Sequence, residues 1–290
     1  MLITALDEIA WLFNIRGADI DYNPVNISFA LVTPNKATLF IAEEKISDKV
    51  RNYLNKFDVN TEAYENIYQA LQTLSGDTII AIDPNKCNYA LKIAIPENVT
   101  IKEISSPIAN MKCIKNETEL SGVGRAMVKD GVALVKFWMW LEEKIENKET
   151  VTELDVIENL HKFRAEQEGF ITESFNTIAG YGEHGAIVHY AADKDSNATL
   201  KAESFLLLDS GGQYYDGTTD ITRTVALGKV TQEMKFDYTM VLKGHLALGY
   251  QLFPYGTRGA QLDAIARQFL WNSEMQYGHG TGHGVGHCLN

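Results

Sequence analysis

The stretch Phe205–Thr224 reads FLLLDSGGQYYDGTTDITRT and decides how the surrounding chain folds. Its apolar run ends on Asp209, glycine and Asp-Gly turn signals follow, and a second acid, Asp220, lies among threonines. Apolar and β-branched residues on both sides of such signals are typical of two antiparallel strands joined by a tight turn. The sequence therefore predicts a β-hairpin that carries both acids.

Two registers of this hairpin fit the turn signals. A turn centred on Tyr214–Tyr215 places Asp209 directly opposite Asp220, roughly 5 Å away. A turn centred on Asp216–Gly217 pairs Asp209 with Thr224 instead. Both registers stay open, and in both the two acids lie on the same face, because side chains alternate along a strand.

The two acids on one face indicate a metal site. Like charges at that separation are costly unless a cation or a shared proton lies between them. A β-bulge at Gly211–Gly212 would break the shared face, and a solvated hairpin with two surface acids is the plain alternative. The apolar run before Asp209 favours the metal site, since it is apolar enough to be buried.

Length and charge limit the function classes. A chain of 290 residues buries roughly three quarters of its unfolded surface, and its length suggests about two domains. The net charge of −12 argues against nucleic-acid and anionic-membrane partners, which need clustered Lys and Arg. The N-terminus lacks the basic segment of a signal peptide, and no run of about 20 apolar residues predicts a membrane span.

The cysteines indicate a reducing compartment. Cys87, Cys113 and Cys288 are odd in number and show no CxxC spacing, which fits free thiols better than a disulfide framework. We therefore expect a cytoplasmic protein. Cys288 lies close in sequence to a histidine cluster and is a weak candidate for a ligand.

Residues 1–113 have the pattern of a small α/β domain. Strand-like segments at 27–32 and 38–41 flank a Thr-Pro-Asn-Lys turn and predict a hairpin. Helical spacing covers 47–57 and 62–74, and a buried-type strand covers 77–82. Ser105-Ser106-Pro107 marks the domain boundary, because proline disfavours helix at the residue before it.

Residues 114–290 form the second predicted domain. Asn116 with Glu119, and Thr152 with Asp155, predict the capped starts of two helices. His189 ends an apolar segment at 186–190, which predicts a strand; a lone histidine there is most simply a satisfied core residue. Two more helices are predicted after the central hairpin, at 231–252 and 259–271.

The chain closes on the segment YGHGTGHGVGH at 277–287. Its spacing of four residues places His279 and His283 on one side of the chain, and its glycine content excludes a helix, which leaves a loop or a strand. Glycines let a substrate or metal approach the backbone closely. A disordered histidine-rich tail that binds metal is the alternative, and the acids Asp209 and Asp220 favour the folded site.

Several blocks of sequence, in order, resemble one family. LLLDSGGQYYDGTTDITRT, GAIVHYAA and HGTGHGVGHCLN resemble the catalytic domain of aminopeptidase P, the Xaa-Pro aminopeptidases of the pita-bread metallopeptidase superfamily. ALDEIAWLFNIRGADIDYNPV and IKNETELSGVGRAMVKDGVALVKFWMWLE resemble its middle domain and the first helix of its catalytic domain. The resemblance implies an α+β fold, with an incomplete pita-bread catalytic domain over 114–290 and a smaller α/β domain, like the N-terminal domain of creatinase, over 1–113.

The resemblance also implies roles for individual residues. Asp209 and Asp220 match ligands of two divalent metals, with Asp220 bridging them, and His283 matches a ligand of one. His189 and His279 match histidines outside the metal shell that hold the substrate and stabilise the tetrahedral intermediate.

This ligand set suits Mn²⁺, with Co²⁺ or Zn²⁺ as alternatives. A hydroxide activated by two such metals would remove the first residue from peptides with proline in second position. Arg223 matches a family arginine of unsettled role, and His287 has no match.

The family pattern continues beyond this sequence at both ends. It has a further histidine and two glutamates after the position of Asn290, and another domain before Met1. We therefore expect the chain to be a fragment that is truncated within its catalytic domain and poorly active alone.

Other interpretations remain open at this point. A pita-bread enzyme of different specificity, such as prolidase or methionine aminopeptidase, has the same kind of site. A non-catalytic pita-bread module that binds peptides would typically lack the acids and histidines that this chain keeps. The sequence does not decide whether the protein forms a homodimer.

Overall fold

The computed structural model describes residues 1–288. The helices are α1 (Leu6–Leu12), α2 (Asp48–Asn55), α3 (Asn66–Gln72), α4 (Tyr89–Ala94), α5 (Pro107–Cys113), α6 (Glu117–Glu146), α7 (Glu153–Ala165), α8 (Gln232–Gly249) and α9 (Gly259–Trp271). The strands are β1 (Leu2–Ile3), β2 (Ser28–Val32), β3 (Ala37–Ile41), β4 (Val59–Glu62), β5 (Ile79–Ile82), β6 (Thr100–Glu103), β7 (Phe170–Glu173), β8 (Ile178–Tyr181), β9 (Phe205–Ser210), β10 (Gly212–Tyr214), β11 (Gly217–Thr218) and β12 (Ile221–Ala226). Short 3-10 helices cover Glu43–Lys45 and Gly182–Ala186.

The chain divides into two compact units. The first contains Met1–Ala126, Gln213–Thr218 and the described residues from Gly286 onward. The second contains Met127–Gly212 and Thr219–Val285. Among the residues that the structure describes, no helix is both long and apolar enough to cross a membrane.

A sheet in the order β1-β2-β3-β4 lies at the centre of the first unit. Successive side chains of a strand point to opposite faces, and neighbouring residues accordingly enter different cores. Leu39 and Ile41 pack with residues of α1 and α2, whereas Phe40 packs with residues of α3, α4 and β5. The sheet is therefore covered on both faces, and β5 pairs separately with β6 in parallel.

The predicted hairpin and helices of the first unit are largely confirmed. β2 pairs antiparallel with β3, and α2 and β5 lie inside their predicted ranges. The helix predicted from residue 62 starts only at Asn66, because Val59–Glu62 forms β4 and pairs parallel with β3. The sequence of β4 contains only one apolar residue, so its pattern does not predict a strand rather than the start of a helix.

The predicted helix caps are present. Asn116 Oδ1 accepts a hydrogen bond from the Glu119 amide at 2.9 Å, and Glu119 Oε2 accepts one from the Asn116 amide at 2.9 Å. Thr152 and Asp155 form the same reciprocal pair at the start of α7. The two pairs satisfy amides that have no partner inside the helix.

A sheet in the order β12-β9-β8 crosses the second unit. Leu206 and Leu208 of β9 are buried in a core shared with α6 and α7. Arg164 of α7 is fully buried on the same side, where it donates to Asp130 at 2.7 Å and to Ser210 at 3.0 Å. Residues 206, 208 and 210 therefore face inward, and the alternation turns Asp209 away from this core.

The strand predicted at 186–190 is wrong. The chain forms the 3-10 helix Gly182–Ala186 and then a turn in which Ile187 and Val188 are 53% and 49% exposed. His189 lies in this turn with a φ of 55°. The apolar run is thus an exposed turn, and the core interpretation of His189 is wrong as well.

Candidate metal centre

The two acids of the central hairpin lie on one side of the sheet. In the β9–β12 ladder, Asp209 is directly opposite Thr222, and Asp220 is two residues before Thr222. Asp220 directly precedes β12; the alternation of the strand, continued by one residue, directs its side chain the same way as that of Thr222, and the charge of Asp209 acts on it. The Thr222 hydroxyl donates to Asp209 Oδ1 at 2.6 Å.

Neither predicted register is correct. Tyr214 pairs with Gly217, so the two-residue turn is Tyr215–Asp216 and lies between the two predicted positions. Gly217 belongs to strand β11, where it pairs with Tyr214, and it also approaches helix α6: a Cβ added there would lie 3.2 Å from the Cα of Val123. Glycine is thus needed here for close packing against α6. The sequence Asp-Gly looks the same whether the glycine is needed for packing or for a turn.

Gly211 brings the segment before Asp220 close to the end of β9. A Cβ at this position would lie 1.9 Å from the carbonyl oxygen of Thr219 and 2.3 Å from Ser174 Oγ. Ser174 Oγ in turn donates to that same carbonyl at 2.8 Å. No residue larger than glycine fits here, so Gly211 fixes the chain just before the second acid.

His283 contacts Asp220 across this site. Its Nε2 lies 3.1 Å from Asp220 Oδ2, and its Nδ1 lies 2.8 Å from the carbonyl oxygen of Gly284. A carbonyl oxygen only accepts, so Nδ1 carries a proton. In the neutral ring the Nε2 lone pair therefore points at a carboxylate, an arrangement that a cation or a second ring proton has to stabilise.

The charge of the site disfavours two free carboxylates. Burial raises the pKa of Asp220 above its usual range, the negative charge of Asp209 raises it further, and His283 opposes both. The Asp220 side chain is 24% exposed, and that of His283 is 61% exposed. The acids are thus close enough to repel each other and remain accessible to an ion.

The contact distances and the donor set fit a divalent cation. Two ligand atoms about 2.1 Å from one octahedral cation, at right angles to each other, are about 3.0 Å apart, which matches the Asp220–His283 contact of 3.1 Å. Among residues 1–288, however, no group of three or more His, Cys, Asp or Glu is already closed around a single position. Asp209 acts on Asp220 through its charge, without completing such a group.

The remaining predicted residues lie apart from this contact. His279 and His189 are exposed, and the hydrogen bonds and ion pairs of the described chain join neither ring to the two acids. His279 Nδ1 donates to the Gly280 carbonyl at 2.8 Å, and its ring stacks on Tyr277. Arg223 donates to the carbonyl of Thr222 at 2.7 Å.

His287 and Cys288 belong to the first unit. Arg16 donates to the carbonyl oxygens of both residues, and burial lowers the pKa of His287. Burial also raises the pKa of the Cys288 thiol. A thiol held protonated is a poor metal ligand, so the structure gives no support to Cys288 as a ligand.

Sequence reasoning missed a buried acid in the second unit. Glu153, the first residue of α7, has no exposed surface. It accepts hydrogen bonds from the amides of Tyr181 and Ala198, at 2.8 and 2.9 Å, and from the Tyr190 hydroxyl at 2.8 Å. The fourth contact is with His184 Nδ1 at 2.9 Å. Only its position next to a cap hinted at a role, since acids are favoured at helix starts.

Comparison with known proteins identifies two family regions. The Creatinase/Prolidase N-terminal domain model matches residues 1–119, and the model of metallopeptidase family M24 matches residues 122–290. The probable Xaa-Pro aminopeptidase P of Sordaria macrospora is 44% identical over 299 aligned residues, which cover 100% of this chain and 49% of that protein. The chain spans about half the length of the curated relatives it matches.

Solved structures agree with these matches. An X-prolyl aminopeptidase from Caenorhabditis elegans, a cytosolic enzyme with a di-nuclear active site, has a TM-score of 0.93 and 35% identity, covering 100% of this chain and 48% of that one. An Xaa-Pro dipeptidase from Bacillus anthracis has a TM-score of 0.76 at 21% identity, covering 98% and 76%, a likeness that shows the fold alone. The predicted fold class, an α+β pita-bread domain after a smaller α/β domain, is confirmed.

Proposed function

The chain belongs to metallopeptidase family M24, and we propose that the protein is an aminopeptidase that removes the first residue from peptides with proline in second position. The contact between Asp220 and His283, with Asp209 close enough to raise the pKa of Asp220, is the observation that carries this proposal. The probable Xaa-Pro aminopeptidase P of Sordaria macrospora, at 44% identity, supports the choice of substrate.

Asp209, Asp220 and His283 are the proposed metal ligands and would together hold two divalent cations. Carboxylate oxygens with one imidazole suit Mn²⁺, and Co²⁺ or Zn²⁺ are the alternatives. When bound, such cations supply Lewis-acid chemistry, which lowers the pKa of a water molecule and stabilises negative charge on a carbonyl oxygen. The protein contributes two carboxylates whose mutual repulsion a cation relieves.

His189 and His279 are the proposed substrate-holding residues. The His279 Nδ1 proton is committed to the Gly280 carbonyl, so Nε2 of the neutral ring accepts and Nε2 of the protonated ring donates. A ring of this kind either accepts from a peptide N–H or donates to a carbonyl oxygen that gains negative charge. Asp209 is the proposed partner of the free substrate amine, which would restrict cleavage to the first bond.

Calorimetric titration with Mn²⁺ tests the metal centre. We expect the 290-residue chain to bind Mn²⁺, the Asp220→Asn variant to bind it at least tenfold more weakly, and Asp195→Asn to bind like the unmodified chain. Asp195 is an exposed acid of the same unit. Equal affinity in all three proteins would contradict the assignment of Asp220.

Release of the first residue tests the activity. A tripeptide with proline second is compared with the same tripeptide carrying alanine second, for this chain and for a chain extended at both ends. The free Xaa-Pro dipeptide is the third substrate, because a dipeptidase would prefer it. If Mn²⁺ binds and neither chain prefers the proline tripeptide, the proposed specificity is wrong although the metal site stands.

The proposed location is the cytoplasm. Cys87, Cys113 and Cys288 are free thiols in the structure, and the Caenorhabditis elegans relative is a cytosolic enzyme. Free thiols persist in reducing compartments. Microscopy of the tagged protein tests this proposal, and secretion into the medium would contradict it.

A further inference from the structure

The loop at 277–285, which carries His279 and His283, has no regular secondary structure. A Cβ added to four glycines of this loop would meet no atom within 4 Å, and none of them has a positive φ; they are Gly278, Gly280, Gly282 and Gly284. Neither tight packing nor a left-handed backbone therefore fixes these positions. Glycine loses more conformational freedom on folding than any other residue, so other contacts must hold the loop in one shape.

Arg267 of α9 donates two hydrogen bonds to the loop and one to Asp263 of its own helix, all from one guanidinium group. Its Nε donates to Asp263 Oδ2 at 2.7 Å, its Nη1 to the Tyr277 carbonyl at 2.7 Å and its Nη2 to the His279 carbonyl at 2.8 Å. The guanidinium carbon also lies 3.9 Å from the centre of the Tyr277 ring. The Arg267 side chain is only 14% exposed, and a planar fork of fixed donors sets the direction of each partner.

Asp263 extends the same set of contacts to Thr281. The Thr281 hydroxyl donates to Asp263 Oδ1 at 2.5 Å. The Tyr277 hydroxyl lies 2.6 Å from the Thr281 oxygen, and it is the donor there, because Thr281 has already given its single proton to a carboxylate. Arg267 and then Thr281 hold the pKa of Asp263 below its usual range.

These contacts reach the loop at alternate residues. Tyr277 and His279 are held through their carbonyl groups, and Thr281 is held through its hydroxyl. The His279 ring stacks on the Tyr277 ring at 4.7 Å between centroids, so holding residue 277 also orients the imidazole of residue 279. His283 follows the last held residue by two positions.

We propose that Asp263 and Arg267 are positioning residues that set the conformation of the histidine–glycine loop and thereby present His279 and His283 to the site. This inference rests on the proposed function for the roles of the two histidines. The pair Asp263 and Arg267 touches neither ring, and acts through the backbone of Tyr277 and His279 and through Thr281. We call the pair the α9 clamp.

The Arg267→Lys variant tests the clamp. Lysine keeps the positive charge beside Asp263 and Tyr277, but a single ammonium group does not present three donors in a fixed fork. Long-range ¹H–¹⁵N spectra of the metal-free protein report which ring nitrogen of each histidine carries the proton. We expect His279 and His283 to be protonated on Nδ1 in the unmodified chain and to become mixtures of both tautomers in Arg267→Lys.

Two controls separate positioning from folding. Arg258→Lys changes the residue just before α9, whose cap uses the Arg258 backbone amide and Gln261, so its spectra should match the unmodified chain. Thr281→Val should shift the tautomers as Arg267→Lys does, and Thr281→Ser should restore them because it keeps the hydroxyl. Far-ultraviolet circular dichroism verifies that each variant is folded.

Mn²⁺ titration of the same variants gives the second readout. We expect the dissociation constant to rise about tenfold in Arg267→Lys, since loss of a group that orients a ligand typically weakens metal binding ten- to hundredfold. If Arg267→Lys has the tautomers of the unmodified chain, the clamp proposal is wrong. If the unmodified chain binds no Mn²⁺, the proposed metal centre fails, and the tautomers of the metal-free protein still decide whether the clamp positions the loop.

Discussion

Two acidic regions of the second unit differ in how many donors their carboxylates receive. Glu153 is fully buried and has four hydrogen-bonding partners, two of them backbone amides. Asp209 receives one bond from Thr222, and Asp220 contacts only His283 among the described partners. The described residues supply Glu153 with enough hydrogen-bond donors. They leave Asp209 and Asp220 with lone pairs that a bound ligand could use.

The difference separates a structural acid from acids that are free to bind a ligand. A buried carboxylate is stable when hydrogen bonds replace its lost water, and then it has no lone pairs to offer. Two accessible carboxylates on one face keep their lone pairs and repel each other, which makes a divalent cation the natural partner. The number of hydrogen-bond donors around an acid therefore indicates whether it can bind a ligand. Burial alone would suggest the reverse, because the fully buried Glu153 would then look like the functional acid.

The largest expected effect is that of Glu153→Gln. The substitution keeps the size but removes the charge and turns one acceptor into a donor, so several buried donors lose their partner. We expect a loss of about 3 kcal/mol in the free energy of unfolding, measured by urea denaturation.

A matched control for this variant lies on the same helix. Glu158 forms an exposed ion pair with Lys162, and Glu158→Gln should change stability by no more than about 0.5 kcal/mol. Equal effects of the two substitutions would show that the Glu153 network does not stabilise the fold.

The second effect is stabilisation by metal. A ligand present at 100 times its dissociation constant adds about 2.7 kcal/mol to the free energy of unfolding. We expect Mn²⁺ to raise the melting temperature of the unmodified chain and of Glu158→Gln, and to raise that of Asp220→Asn by no more than about half as much, because tenfold weaker binding leaves about 1.4 kcal/mol of the stabilisation. A rise in Asp220→Asn equal to that of the unmodified chain would place the bound ion elsewhere.

Sequence predicted the local elements better than the contacts between them. Asn116 and Thr152 correctly predicted the starts of their helices, because a helix cap depends only on residues near it in sequence. The helix α9 was predicted at its observed limits, Gly259–Trp271. Both predicted registers of the central hairpin were wrong: Gly217 was expected only as a turn residue, but it lies in a strand beside Val123, a residue distant in sequence. The strand predicted at 186–190 was wrong because the segment has the composition of a buried strand and yet forms an exposed turn.

For the candidate site, too, the sequence predicted individual residues better than the contacts between them. The pattern of acids and histidines predicted a site at Asp209, Asp220 and His283, and the structure places Asp220 beside His283. The roles of these residues, and those of His189 and His279, remain predictions. The α9 clamp could not be predicted from the sequence. The spacing of Asp263 and Arg267 by four residues predicts an ion pair on one helix face, but nothing in the local sequence shows that Arg267 also contacts the loop.

The third effect concerns the single donor of Asp209. Thr222→Val removes the hydroxyl that donates to Asp209 Oδ1 at nearly constant size. We expect Mn²⁺ binding to weaken about tenfold, or about 1.4 kcal/mol. Thr224→Val, two residues along the same strand, is the control for the loss of a threonine hydroxyl, and calorimetric affinities that fall equally in both variants would contradict a specific role for Thr222.

The smallest effect has the opposite sign to the first. In metal-free protein at pH 7, Asp220→Asn should stabilise the fold by about 0.5 kcal/mol, because it removes a charge that burial and the negative charge of Asp209 both disfavour and loses only a partly exposed contact with His283. The raised pKa of Asp220 means that the folded state disfavours the ionised form, so protonation removes the penalty. The gain should therefore shrink as the pH falls from neutral through the raised pKa.

The double variant Asp209→Asn with Asp220→Asn completes this test. Repulsion needs both charges, so the second substitution should add less than the first, and a double-mutant cycle from urea denaturation measures that difference. Additive gains would mean that the two acids act independently. A loss of stability in Asp220→Asn comparable to that of Glu153→Gln would mean that Asp220, like Glu153, is a structural acid, and the contrast between the two regions would disappear.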